Sequence, residues 1–148
     1  MPHLKRLAQW ISVPTILGYG LIWILTGCCY PVDPEDAQPG IENPSFTQDV
    51  QPIFTASCAL SGCHNAGAAA GLDLRTDMSY AQLVGITSGQ DPNRKRVDPG
   101  DAQVSYLVVK LEDRQSTGSR MPLGRTPLSS EEIGTIRNWI GLGAGGNR

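Results

Sequence analysis

The chain has 148 residues, enough for one domain, with 17 glycines, 11 prolines and only 18% charged residues. That composition points to many turns and few long regular elements, and the 6% of aromatic residues leaves only a modest core. A net charge of −2 gives no sign of nucleic-acid binding.

Residues 1–27 read as an export signal rather than as part of the fold. Lys5 and Arg6 give a positive start, and an apolar run follows from Trp10 to Leu25, interrupted by Pro14, Gly18 and Gly20. The run closes on Leu25-Thr26-Gly27-Cys28, which resembles the lipobox of bacterial lipoproteins. That resemblance implies cleavage before Cys28 and lipidation of Cys28; the alternative is a retained membrane anchor, for which the run is short. Either reading places the remaining chain outside the cytoplasm, periplasmic or at the cell surface, and close to a membrane. Cleavage would leave 121 residues carrying ten basic and fourteen acidic side chains, a net charge of −4. Residues 28–44 follow as a tether, since residues 30–44 hold four prolines and four acids and cannot bury a core.

The folded domain is expected over residues 45–148. Phe46, Val50, Ile53 and Phe54 have helical spacing. Pro52 is tolerated only in a first turn, so the spacing predicts a regular helix from about Asp49 to Cys58. The small residues from His64 to Leu74 predict a loop, and a brief helix is expected over Ser79–Val84. After Asp98-Pro99-Gly100, Asp101 is placed to cap a helix whose apolar face is Val104, Leu107, Val108 and Leu111. The run Arg94-Lys95-Arg96 reads as a solvated loop. Ser129 and Glu132 form a capping box for the last helix, with Ile133, Ile136, Trp139 and Ile140 on one face and Gly141 and Gly143 ending it. No alternating β pattern appears. The result is an all-α chain of three to five short helices with long loops, and that much loop in a compact domain suggests a large ligand at its centre.

The chemistry-bearing motif is Cys58-Ala-Leu-Ser-Gly-Cys63-His64. C-x-x-C-H is the signature of c-type haem attachment, and here the spacing is two residues longer. Each thiol can add to one vinyl group of a porphyrin while Ala59, Ser61 and Gly62 let the longer arc bulge outward. His64 then falls beneath the ring. A Cys58–Cys63 disulfide is the rival in an oxidising compartment. Zinc is weaker, because adjacent Cys63 and His64 cannot easily face one tetrahedral centre and further ligands do not cluster nearby. The domain has no second histidine, so the opposite face of the iron falls to a methionine. Met78 reads as core packing beside a short helix. Met121, in the stiff loop Ser119-Arg120-Met121-Pro122-Leu123-Gly124, reads either as an iron ligand or as a filler of a core gap. Arg120 reads as a surface arginine or as a partner for a haem propionate.

Taken in order, the motifs resemble the class I, single-haem cytochrome c family, and in particular bacterial membrane-tethered cytochrome c domains. The matching segments are Phe46–Phe54, the haem motif, Gly71–Leu74, Ser105–Leu107, Met121-Pro122 and Ile133–Ala144. The resemblance implies a small cytochrome c-like fold whose first and last helices pack across each other beside one covalent haem c. It also implies His64 and Met121 as axial ligands and one-electron transfer between redox partner proteins rather than enzymatic turnover. The departure is the C-x₄-C-H spacing. Ile53, Phe54, Leu72, Leu107, Leu111 and Trp139 are the expected pocket walls. The rival functions are a haem peroxidase, which needs an open iron face, and a structural lipoprotein without haem.

Overall fold

The computed structural model describes residues 39–146. The expected signal, Cys28 and most of the tether lie outside these residues. Among the described residues the chain is helical and contains no strand; isolated bridges join Val84 to Val97, Thr87 to Lys95 and Asp98 to Asp101. No helix among the described residues is long and apolar enough to cross a membrane.

The first helical segment starts earlier than Pro52 alone suggests. A wide turn over Phe46–Val50 runs straight into α1, Gln51–Ser57. Ser45 caps it, its hydroxyl accepting from the Gln48 N–H, while its own N–H donates to Asp49 Oδ2 at 2.7 Å. Pro52 has no N–H, and its ring would crowd the carbonyl four residues back in a regular α-helix. The wide turn, with the Val50 N–H reaching Ser45 O at 3.3 Å, carries the helical path past that obstacle. Phe46, Val50 and Phe54 are buried on the predicted face.

α2 covers Ser79–Leu83, α3 covers Tyr106–Leu111 and α4 covers Ser130–Gly141. The α4 capping box is present as expected: Ser129 Oγ accepts from the Glu132 N–H at 3.2 Å, and Glu132 Oε2 accepts from the Ser129 N–H at 2.8 Å. Asp101 does not cap α3. Its Oδ1 accepts from the N–H groups of Gln103 and Val104, closing a separate turn, and α3 begins five residues later. Val104 therefore lies before the helix and is exposed rather than part of its apolar face. Ser105 ties the turn to the preceding bend: its hydroxyl accepts from the Asp98 N–H at 2.8 Å and donates to Asp101 O at 2.7 Å.

The core lies where the first helical segment meets α4. Phe46 stacks obliquely on Trp139 with ring centroids 5.0 Å apart, and meets Tyr80 of α2 edge-on at 5.2 Å. Trp139 Nε1 donates to Gly145 O at 2.9 Å, and Tyr80 Oη donates to Ala144 O at 3.0 Å, so both polar ends are satisfied by the chain just beyond α4. Packing also reaches back before Ser45. The Ile41 N–H donates to Thr135 Oγ1 at 3.0 Å, and Asn138 Nδ2 donates to Ile41 O at 2.9 Å. Gly134 permits this approach, because a Cβ there would lie 1.5 Å from Pro39 O.

Candidate functional site

The arc after α1 is fixed by its own backbone. The Cys63 N–H donates to Leu60 O at 2.9 Å, and the His64 N–H donates back to Cys58 O at 3.0 Å. Gly62 takes a φ of +77°, which a side chain would disfavour, so the two extra residues are absorbed in a tight fold of the chain. The Leu74 N–H donates to His64 O at 2.8 Å and closes the next loop. Within that loop Ala68 and Ala70 stand in the left-handed region, at φ 45° and 55°. The loop presents Ala69 O and Leu72 O to His64 Nδ1, at 3.1 and 3.3 Å. A ring nitrogen facing carbonyl oxygens must carry the proton, which leaves Nε2 as the nitrogen with a free lone pair.

Cys58, His64 and Met121 all border one cleft of about 700 Å³, its open mouth included. The enclosed part is about 100 Å³, smaller than a typical small-molecule or cofactor site, so most of this space is open to solvent. Its apolar wall comes from Leu72 of the loop, Leu83 of α2, and Leu107 and Leu111 of α3. Cys63 is half-buried and stands outside the lining, so the motif is brought to the cleft through Cys58 and His64. Cys58 and Cys63 are both free thiols in the structure. Burial pushes the Cys58 thiol up to about 11, with the charges of Cys63 and Glu132 adding to the effect. A thiol so placed stays protonated near neutral pH.

Met121 is held by the far end of α3. Its N–H donates to Lys110 O at 3.0 Å, and Arg120 Nε donates to Leu111 O at 2.8 Å. These bonds satisfy two of the carbonyls that a helix end leaves open. Arg120 is thus engaged with backbone and does not line the cleft. Met78 is 40% exposed at the start of α2, neither buried as expected nor on the cleft wall.

Of the expected walls, Leu72, Leu107 and Leu111 line the cleft. Phe54 and Trp139 are instead sealed in the core, and Ile53 packs against that core. Sequence reasoning missed the polar side of the cleft, formed by Ser88, Gln90, Arg96, Tyr106 and Lys110. The basic run is split: Arg94 pairs with Asp91 and Lys95 with Asp98, while Arg96 donates to Gln82 O and Gly71 O and joins the wall. Lys110 carried a readable signal, since it lies three residues after Leu107 and so shares its helix face. Among the described residues no cluster of three or more histidine, cysteine or acidic side chains could hold a bare metal ion.

No family model matches the chain, and no curated protein matches it. Among solved structures, the chain is similar to hydrazine synthase of Kuenenia stuttgartiensis, with 28% identity and a TM-score of 0.48. The match covers 70% of this chain and 16% of that one, so this chain spans about one sixth of the neighbour's length.

Proposed function

We propose that the chain is an exported, membrane-tethered electron carrier with a cytochrome c-like fold, holding one haem covalently through Cys58 and Cys63. His64 and Met121 would hold its iron. The observation that carries this reading is the convergence of Cys58, His64 and Met121 on one largely apolar cleft, with His64 Nδ1 tied to two carbonyls. Ligating histidines are oriented in this way, by a bond from the second ring nitrogen that leaves the first free to bind.

The bound haem supplies a one-electron Fe(II)/Fe(III) couple. Every other contribution comes from the chain. Cys58 and Cys63 would hold the haem, each through a thioether made by addition of its S–H across one vinyl group, which involves no net redox change. The raised pKa of Cys58 keeps little of it as thiolate near neutral pH, which slows disulfide exchange at that sulfur. His64 provides Nε2, and Met121 a soft thioether that favours the reduced iron. Leu72, Leu83, Leu107 and Leu111 exclude water and favour the same state. A methionine on the cleft wall argues against a peroxidase, which needs that position open. The lipid on Cys28 and the tether would confine the carrier to a membrane surface, where donor and acceptor proteins exchange electrons through the exposed edge of the ring.

The test is the optical spectrum of full-length protein produced with a c-type maturation system. Oxidised protein is expected to show the methionine–iron charge-transfer band, and Met121→Ala to abolish it while haem stays attached. Survival of the band in Met121→Ala would overturn the ligand assignment.

A further inference from the structure

One cation in the cleft has no hydrogen-bond partner among the described residues, although the Asp113 carboxylate favours its charge from nearby. Lys110, on α3, is 7% exposed, and its Nζ is buried with no hydrogen bond. An ammonium taken out of water without a partner is expensive, so a fold that keeps one is poised for an anion. The other cation of the wall differs, because Arg96 already donates to Gln82 O and Gly71 O.

A second donor stands beside it. Lys110 Nζ and Gln90 Nε2 lie 3.3 and 3.6 Å from the same point, the place a Cβ would take on Gly118. Gly118 has a φ of +76° and no side chain, which keeps that space open. Tyr106 Oη donates to Gln90 Oε1 at 3.3 Å. That bond uses the amide oxygen as acceptor and leaves the amide N–H groups free. An ammonium and an amide N–H that lie within 3.6 Å of one open point can both donate to a carboxylate placed there, and all three side chains line the cleft that holds Cys58, His64 and Met121.

We propose that Lys110 Nζ and the Gln90 side-chain amide, the latter oriented by Tyr106, form the seat for one propionate carboxylate of the haem in this cleft. The proposal rests on the haem reading above and adds the residues that would hold one of the ring's carboxylates.

The test uses the full-length chain made without haem attachment, titrated with iron protoporphyrin IX and with its dimethyl ester. A charge-assisted hydrogen bond of this kind is worth about tenfold or more in affinity. Wild type should prefer the free acid by at least that factor, Lys110→Met should bind both forms alike, and Lys110→Arg should retain the preference. A second measurement avoids dependence on the haem-free fold: the reduction potential of the haem-loaded protein at one fixed pH. Lys110→Met should lower it, because the carboxylate charge beside the ring is then uncompensated and stabilises Fe(III), whereas Lys110→Arg should hold it near wild type. An unchanged acid-to-ester preference and an unchanged potential in Lys110→Met, with haem covalently attached, would overturn the seat while leaving the haem reading intact. Absence of covalent haem in the matured wild type would instead overturn the haem reading.

Discussion

Cys58 reports whether its sulfur is a thiol or a thioether through the alkaline stability of the protein. In the folded chain its thiol is pushed from 9.0 to about 11, mainly by burial. The unfolded chain therefore releases this proton first. The neutral thiol favours the folded state fully below the unfolded value, and that contribution is lost as pH rises through the folded one. Two pKa units correspond to about 3 kcal/mol once both states are ionised, and to about 2 kcal/mol near pH 10.5. The perturbation is Cys58→Ala in haem-free, full-length protein, and the assay is urea unfolding followed by circular dichroism at about pH 8 and pH 10.5. Alanine leaves a cavity whose cost does not depend on pH, and the other groups titrating in this window are common to both proteins. Wild type should thus lose about 2 kcal/mol more than Cys58→Ala between the two conditions. In haem-loaded protein the sulfur carries no proton and that extra loss should vanish. Equal losses in the two haem-free proteins would refute the burial argument. An extra loss that persists after haem loading would mean that Cys58 is still a thiol.

Trp139→Ala should destabilise the fold by about 3–5 kcal/mol in the same assay, because it removes the ring stacked on Phe46 at the centre of the core. Lys110→Met should stabilise the haem-free chain by about 1–3 kcal/mol, since it replaces a buried, unpartnered ammonium with an apolar side chain of similar length. Gly134→Ala should drive residues 39–41 off α4, because the new Cβ meets Pro39 O. The two hydrogen bonds of Ile41 are lost at about 1–3 kcal/mol, partly offset by about 1 kcal/mol of helix propensity, and limited proteolysis should cut near Ile41 in the variant but not in wild type.

Helix periodicity and capping chemistry were legible at the first and last helices but not at α3. The Ser129–Glu132 box and the Phe46, Val50, Phe54 face are local patterns, and both stand in the structure. Asp101 was misread because an aspartate before an apolar run caps a turn as readily as a helix; its Oδ1 closes the turn before α3. Pro52 stands in the first turn of α1, as its missing N–H predicts; the wide turn over Phe46–Val50 that precedes it has no sequence signal. The docking of residues 39–41 depended on Gly134, which inside a helical pattern looks like a weak point rather than a contact. At the site, Cys58, His64 and Met121 were legible from residue type and order, and the structure brings them to one cleft. Cys63 stands just off that wall. The polar side was not legible, because Lys110 on an amphipathic helix resembles a solvated lysine until the neighbouring loops enclose it. Lys110 alone of that side carried a signal, because Leu107, three residues before it on the same helix face, lines the same cleft.

The central claim is covalent haem at Cys58 and Cys63, and it is tested most directly by the reduced pyridine haemochrome of full-length protein matured with a c-type system. The account predicts one haem per chain that resists acidic organic extraction, and none that resists it when both cysteines are replaced by alanine. A colourless wild-type protein, or haem that extracts freely from it, would contradict the account.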